Sequence, residues 1–133
     1  MKYILMMHAP GNANGDYAVS RWAPAELQAH IQYMQDLNRE LNKRGELVGA
    51  EGLAPPSEAR IVRAAKDGSP TVSDGPFAET KEFLAGYWLV DVDSTDRAYE
   101  IAAKASAAPG PKGVPLSIPI EVRPVPTLQG PRE

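Results

Sequence analysis

Two short segments of the chain carry apolar side chains at alternating and at intervening positions alike. They are Lys2–His8 and Ala85–Val92. Because successive side chains of a strand point to opposite faces, each segment predicts a strand that is apolar on both faces. Such a strand needs a covering layer on each side. We therefore expect both strands in a sheet whose two faces are covered.

Two further segments show the repeat of an amphipathic helix. The first, Pro24–Arg44, begins with a proline suited to the first helical position and is followed by Gly45, a C-terminal cap signal. Its apolar stripe recurs at helical spacing and consists of Leu27, Ile31, Met34, Leu37 and Leu41. The second helix is expected over residues 95–107, with Ser94 as its cap. Its stripe is mainly alanine, which lets a helix approach a sheet closely.

The remaining strands have a weaker pattern. We expect them at Leu47–Leu53, Ala59–Ala65, Pro70–Ser73 and Ile118–Arg123. The sequence "KDGS" between the second and third of these predicts a hairpin turn. Pro119 predicts that the last strand lies at an edge or contains a bulge, because proline cannot donate to a strand ladder.

The order of elements, β-α-β-β-(β)-β-α-β, favours an α+β fold of the ferredoxin-like kind. In this fold an antiparallel sheet of four or five strands carries two helices on one face. Two helices cover one face only, whereas the first and fourth main strands are apolar on both. We therefore expect the other face to meet a second copy of the chain, which predicts a homodimer.

Composition limits the class of protein further. A chain of 133 residues with 43% hydrophobic content suits one folded domain, expected over residues 1–125 with an extended tail over 126–133. There is no cysteine, and the net charge of -3 comes with scattered Lys and Arg, which argues against a nucleic-acid surface. No apolar run approaches the roughly 18–20 residues of a membrane span, so a cytoplasmic protein without membrane contact is expected.

Four motifs carry a resemblance to a known family. They are "GAEGL", "DGPFAETKE", "LAGYWLVDV" and "IEVRPV", in that order along the chain. With them the chain resembles the YCII-related family, and within it the DGPF branch, over almost the whole stretch from Met1 to Val125. The resemblance implies a ferredoxin-like dimer of the kind called a dimeric α+β barrel.

The same resemblance implies two directions for function. One relative is a dehydrochlorinase that acts on a chlorinated hydroxyhydroquinone, and a His–Asp pair is the proposed active centre elsewhere in the family. Some DGPF-branch proteins are linked to extracytoplasmic-function sigma factors. The family's helix histidine lies about one turn nearer the helix end, where this chain has Met34. The pair is therefore not transferred to this chain as a whole.

His30 is the first candidate for chemistry. It lies three residues after Leu27 and four before Met34, so its ring should face the sheet. There it is either a core histidine tied by one hydrogen bond or a general base in a cavity. Asn38 lies two turns further along the same stripe. Because a buried polar group needs a partner, the two together favour a polar-lined cavity.

The turn that begins at Asp74 is the second candidate. Asp74 either caps its own turn or is a carboxylate held at a pocket mouth, where it would orient His30. Phe77 is expected to bury its ring and fix the loop. The polar residues that follow are either a solvated loop or a cluster aimed into a cleft. In the second case Glu79 and Lys81 would contact substrate, and Lys81 would stabilise developing negative charge.

His8, at the predicted end of the first strand, is either solvent-exposed or part of a site. The spacing of the histidines and acids predicts no metal site, and we expect no cofactor. Two functions stay open. One is a small cofactor-free enzyme for proton abstraction, isomerisation or HX elimination on a small polar or aromatic substrate, with His30 as base and Asp74 as its orienter. The other is a non-catalytic ligand-binding or regulatory accessory module linked to transcription.

Overall fold

The computed structural model describes residues 1–10, 22–75 and 82–127. Its strands and helices are β1 (Lys2–Pro10), α1 (Pro24–Lys43), β2 (Leu47–Gly52), β3 (Arg60–Ala64), β4 (Pro70–Asp74), β5 (Glu82–Asp91), α2 (Thr95–Ser106) and β6 (Ile120–Val125). Two short 3-10 turns lie at Pro56–Glu58 and Pro111–Gly113.

The main sheet has four strands in the order β2-β5-β1-β6, and every neighbouring pair is antiparallel. With two helices added, this is an α+β, ferredoxin-like arrangement, as predicted. β3 and β4 form a separate two-stranded sheet, the β3–β4 hairpin. The prediction of four or five strands is met with four, because β3 and β4 pair only with each other. An alternating pattern identifies strands, but it does not say which edge they pair with.

The core lies between one face of the sheet and the two helices. Leu5 of β1 and Val90 of β5 are fully buried there, and so are Leu41 of α1 and Ile101 of α2. The alanines of the predicted α2 stripe, Ala98, Ala102 and Ala105, are buried as well. Their small side chains let α2 lie close to the sheet, where it contacts β1 and β6.

Helix α1 packs unevenly along its length. Of its apolar stripe only Leu37 and Leu41, in the C-terminal half, are buried, while Ile31 is 40% exposed. Met34 is half-buried between them. The helix is therefore less deeply buried before Leu37, although the sequence repeat continues through it. The candidate site lies beside the stretch from His30 to Asn38.

A side chain accepts a backbone N–H at the start of each helix. Ser94 Oγ accepts the backbone N–H of Arg97 at 3.1 Å, which is the predicted cap of α2. At α1, Glu26 Oε1 accepts the backbone N–H of Ala23 at 3.0 Å. Arg97 also forms two hydrogen bonds to Glu46, the residue that precedes β2. These bonds tie the start of α2 to the turn after α1.

The last strand differs from the prediction. It runs from Ile120 to Val125, two residues later than expected at each end. Ser117 has a φ of 55°, and Ser106 Oγ donates to Ile118 O at 2.7 Å, so this stretch turns under α2 before the strand begins. Pro124 lies within β6. An edge strand tolerates a proline because one side of its backbone needs no ladder bond.

The second face of the sheet carries no helix in the described part of the chain. We call it the helix-free face; its central members are Ile4, Met6, Tyr87 and Leu89. All four are half-buried by their neighbours in the sheet. The prediction that β1 and β5 are apolar on both faces is therefore confirmed. Among the described helices, none is long and apolar enough to cross a membrane.

Candidate functional site

A cavity of about 250 Å³ lies between the middle of α1 and the β2–β5 end of the sheet. Helix α1 contributes His30, Met34 and Asn38 to its wall. These residues are spaced by four, so they share one face of the helix. The apolar stripe predicted for α1 therefore has two parts. Leu37 and Leu41 lie in the core, and the row His30–Met34–Asn38 faces the cavity.

The sheet side of the cavity is mostly small or apolar. Its members are Met7, Ala50, Ala85, Gly86 and Trp88, with Glu51, Gly52 and Tyr87 beside them. Glu51 and Tyr87 are paired across β2 and β5, and the strand alternation turns both side chains to the helix-free face. They therefore border the cavity through main-chain atoms. Gly86 leaves space that a side chain would fill, and a Cβ there would lie 2.9 Å from Glu51 O.

His30 is held by two groups. Its Nδ1 lies 3.0 Å from the carbonyl oxygen of Pro109. A carbonyl can only accept, so Nδ1 carries the hydrogen, and in the neutral ring Nε2 holds the lone pair. The indole of Trp22 meets the imidazole edge to face, with ring centroids 5.2 Å apart. The ring is thereby fixed in tautomer and in orientation.

The segment that supplies the Pro109 carbonyl is itself fastened to α1. Lys112 N donates to Glu26 Oε2 at 2.7 Å, and Gly110 N donates to Val114 O at 2.8 Å. The backbone hydrogen bond from Lys112, followed by that from Ala23, lowers the pKa of Glu26 below its usual value. Glu26 thus remains an anion that receives two N–H groups near neutral pH. The docked segment keeps the Pro109 carbonyl beside His30.

Asn38 is fixed by Trp88. The indole Nε1 donates to Asn38 Oδ1 at 2.8 Å. Because an indole N–H can only donate, the amide oxygen must face Trp88, and this orients the whole amide group. The expectation that Asn38 needs a buried partner is met by this bond. Strand alternation placed Trp88 opposite Tyr87, but nothing in the sequence matched it to a particular residue of α1.

The other predicted site residues lie elsewhere or outside the described residues. His8 is within β1, not at its end, and its Nε2 lies 3.0 Å from Glu121 Oε1 on the face away from His30. Asp74 ends β4 with a 95% exposed side chain and lies 3.7 Å from Arg60, on the hairpin and not in the cavity wall. Glu79 and Lys81 fall outside the described residues, as does Phe77.

Two contacts of His30 were missed by the sequence reasoning. The carbonyl of Pro109 is 79 residues away along the chain, and main-chain acceptors leave no mark in a sequence. Trp22 precedes α1, where a tryptophan just before a helix could have suggested packing against its first turns. Within residues 1–10, 22–75 and 82–127, no three His, Asp or Glu side chains gather as a metal site would require.

Comparison with known proteins assigns the family. The model of the YCII-related domain matches residues 1–114, a range that includes every described residue of the cavity wall. A protein of Rhizobium meliloti (strain 1021), "Uncharacterized protein R00369", is 33% identical over 103 residues, which are 77% of this chain and 82% of that relative. The match of the family model extends through both helices and through the cavity between α1 and the sheet. This chain belongs to the YCII-related family.

Proposed function

We propose that the cavity binds a small molecule and that His30 acts in it as a general base. The observation that carries this proposal is the hydrogen bond from His30 Nδ1 to Pro109 O, which leaves the lone pair on Nε2. His30 lines the cavity, and Nε2 has no hydrogen-bond partner within the described residues. A histidine in this tautomer is ready to accept a proton near neutral pH.

The reaction class follows from what a lone base can do. A proton moves from the substrate to His30 Nε2, and the electron pair left behind either shifts to a neighbouring carbonyl or expels a halide. This supports proton abstraction, isomerisation or HX elimination on a small polar or aromatic substrate, without a cofactor. After the transfer, Pro109 O still accepts the hydrogen bond from Nδ1 and keeps the ring in the same orientation.

A non-catalytic ligand-binding module is the second candidate. The observation that favours it is the nature of the partner of His30, which is a neutral carbonyl and not a carboxylate. A carbonyl orients the ring but supplies less charge to stabilise the imidazolium than a carboxylate does. In this alternative the protein binds its ligand as a regulatory accessory linked to transcription.

We infer further that the chain falls in the DGPF branch, because Asp74 opens the four-residue motif that names it. The roles of Asp74, Glu79 and Lys81 at the site stay predictions. Arg60 accounts for the described contact of Asp74, so its part in orienting His30 would require the loop that follows β4. We also infer one domain over residues 1–125, since β6 ends at Val125 and pairs with β1.

A homodimer through the helix-free face completes the proposal. Ile4, Met6 and Leu89 are apolar and Tyr87 is amphipathic, and no helix covers them within the described residues. Two such sheets packed face to face give a dimeric α+β barrel, and a C2 interface of this kind uses the same patch twice. The cavity, on the helix side, remains accessible in that arrangement.

The experiment is a thermal-shift screen of the purified protein against a metabolite library, followed by turnover assays on the hits. A ligand that binds only the native state raises the melting temperature. The variant is His30→Ala, and the matched control is His8→Ala, which removes the other histidine on the opposite face of the sheet. We expect His30→Ala to lose turnover and His8→Ala to keep it.

The outcomes separate the two candidates. Hits without turnover, whose shifts survive in His30→Ala, would favour the binding module. An unaltered turnover in a folded His30→Ala protein would remove His30 from the chemistry.

A further inference from the structure

We propose that Asn38 is a second hydrogen-bonding anchor of the cavity, beside His30. The cavity would bind an uncharged, flat molecule whose own donor and acceptor lie about 6 Å apart. This is the distance between the two anchors less the length of two hydrogen bonds of about 2.9 Å. The donor faces His30 Nε2 and the acceptor faces the amide N–H of Asn38. The part concerning His30 rests on the proposed function, whereas the part concerning Asn38 rests on its own contacts.

The first step is the direction of the amide. Trp88 Nε1 donates to Asn38 Oδ1 at 2.8 Å, so the oxygen is occupied and Nδ2 points to the other side. Asn38 lines the cavity, and Nδ2 has no hydrogen-bond partner within residues 1–10, 22–75 and 82–127. No described buried side-chain nitrogen or oxygen is without a partner, so Nδ2 is not sealed in the core. It is a donor offered to the cavity.

The second step is the distance between the anchors. His30 and Asn38 are eight residues apart on one helix, which at 1.5 Å per residue is about 12 Å. Both side chains lean toward the helix N-terminus, so their polar ends keep about this spacing. Two hydrogen bonds of about 2.9 Å leave about 6 Å for the ligand itself. Substituents at opposite ends of a single six-membered ring have this reach.

The third step concerns the side chains that line the cavity between the two anchors. Met34 lies between them on α1, and Met7 and Trp88 face it from the sheet. Thioethers and an indole suit a flat apolar body. The described wall contains no Lys or Arg. An anion would therefore lose its water there without gaining a counter-charge, which disfavours it relative to a neutral molecule.

These anchors also assign the flow of electrons in the proposed reaction. The O–H or C–H bond at one end of the ligand breaks, and its proton goes to His30 Nε2. The electron pair passes through the conjugated body to the carbonyl oxygen at the other end. That oxygen becomes more negative, and its hydrogen bond from Asn38 Nδ2 becomes stronger. Asn38 therefore acts on the charge that develops and not only on the ground state.

The test uses 4-hydroxyacetophenone as the probe, with two analogues. 4-Ethylphenol lacks the acceptor, and acetophenone lacks the donor. Dissociation constants come from titration calorimetry, and the ultraviolet band of the bound phenol reports any transfer of its proton. We expect the wild-type protein to bind the probe about tenfold more tightly than either analogue, since each lost hydrogen bond costs roughly 0.5–1.5 kcal/mol.

The variants address one anchor each. Asn38→Asp keeps an oxygen for Trp88 but removes the N–H donors, so it should lose affinity for the probe and for acetophenone while 4-ethylphenol binds as before. Trp88→Phe frees the amide to turn and should reduce the same two affinities to a smaller degree. His30→Ala should instead weaken the probe and 4-ethylphenol and abolish the phenolate band. Circular dichroism melts establish that each variant is folded.

The results separate the two proposals. If only Asn38→Asp loses affinity for the probe, Asn38 is an anchor and His30 is not the base. If only His30→Ala loses affinity, His30 is supported and Asn38 is not an anchor. If Asn38→Asp preserves the wild-type ratio between probe and 4-ethylphenol, the role of Asn38 is overturned. If the wild-type protein binds none of the three compounds, the ligand class is wrong.

Discussion

The ion pair between Glu46 and Arg97 should be the most costly polar interaction to break outside the cavity. Arg97 Nε and Nη2 donate to the two carboxylate oxygens of Glu46 at 2.9 and 2.8 Å. The side chains of Arg97 and Glu46 are only 15% and 12% exposed. Arg97→Met removes the charge but keeps most of the apolar stem. The carboxylate then stays largely buried, with Arg44 Nε at 3.1 Å as its other cation.

The loss of stability in Arg97→Met should lie between the values known for buried and for surface ion pairs. A broken buried pair costs about 3–5 kcal/mol, and a surface pair contributes about 0.2–1 kcal/mol. With slight exposure and a second cation near Glu46, we expect Arg97→Met to lower the free energy of unfolding by about 2–3 kcal/mol. For a domain of this size about 4 °C accompanies each kcal/mol, so the melting temperature should fall by about 10 °C.

Urea unfolding of four proteins measures the pair itself. They are the wild type, Glu46→Gln, Arg97→Met and the double variant, which form a double-mutant cycle. The coupling energy should exceed about 1 kcal/mol. A coupling energy near zero would refute the reasoning, because the loss in Arg97→Met would then come from packing of its stem.

The same pair predicts a pH dependence. The hydrogen bond from Arg97 is the largest cause that holds the pKa of Glu46 below its usual value of 4.5. A carboxyl whose folded pKa is lowered stabilises the protein above its unfolded pKa, and this contribution disappears as the pH falls through the folded pKa. Wild-type stability should therefore decline below about pH 4.5 more steeply than that of Arg97→Met. Parallel acid profiles for the two proteins would contradict this assignment.

Four further predictions concern other parts of the chain. Ser94→Ala should cost about 1 kcal/mol by loss of the α2 cap, and a thermal melt that does not move would contradict the cap. Gly86→Ala should lower the free energy of unfolding in urea by about 1–3 kcal/mol, because its Cβ meets Glu51 O. Its control is Ala85→Gly, which adds no atom and so should not narrow the cavity for ligands. Leu89→Lys should convert a dimer to a monomer in light scattering, and a monomeric wild type at micromolar concentration would refute the interface. Asp74→Ala should cost less than about 1 kcal/mol, so a large loss of ligand affinity in that variant would return Asp74 to the site.

The parts of the fold that the sequence predicted are those with local causes. Ser94 and Gly45 mark helix ends because their side chain or dihedral freedom acts on the adjacent turn, and Gly45 does have a φ of 73°. The apolar pattern likewise predicted that β1 and β5 are strands with two apolar faces. These features depend on neighbours a few residues away.

The parts that were missed depend on distant partners. The start of β6 is delayed by a turn at Ser117 and by the bond from Ser106 to Ile118 O, which only the packed structure brings together. The sequence predicted that His30 faces the sheet and that Asn38 needs a partner. It did not predict Pro109 O or Trp88 Nε1 as those partners, because pairing across the core is a property of the whole fold.

The β3–β4 hairpin makes the chain modular. Its two strands lie in an excursion between Gly52 and Gly86, which pair with each other across β2 and β5. A shorter connection between Leu53 and Glu82 would keep every residue of the four-stranded sheet and its register, so this is a natural place for homologues to vary in length. The same two glycines border the cavity. A reporter domain spliced into the excursion would therefore be anchored at the floor of the ligand site, which is the connection that a fluorescent sensor requires.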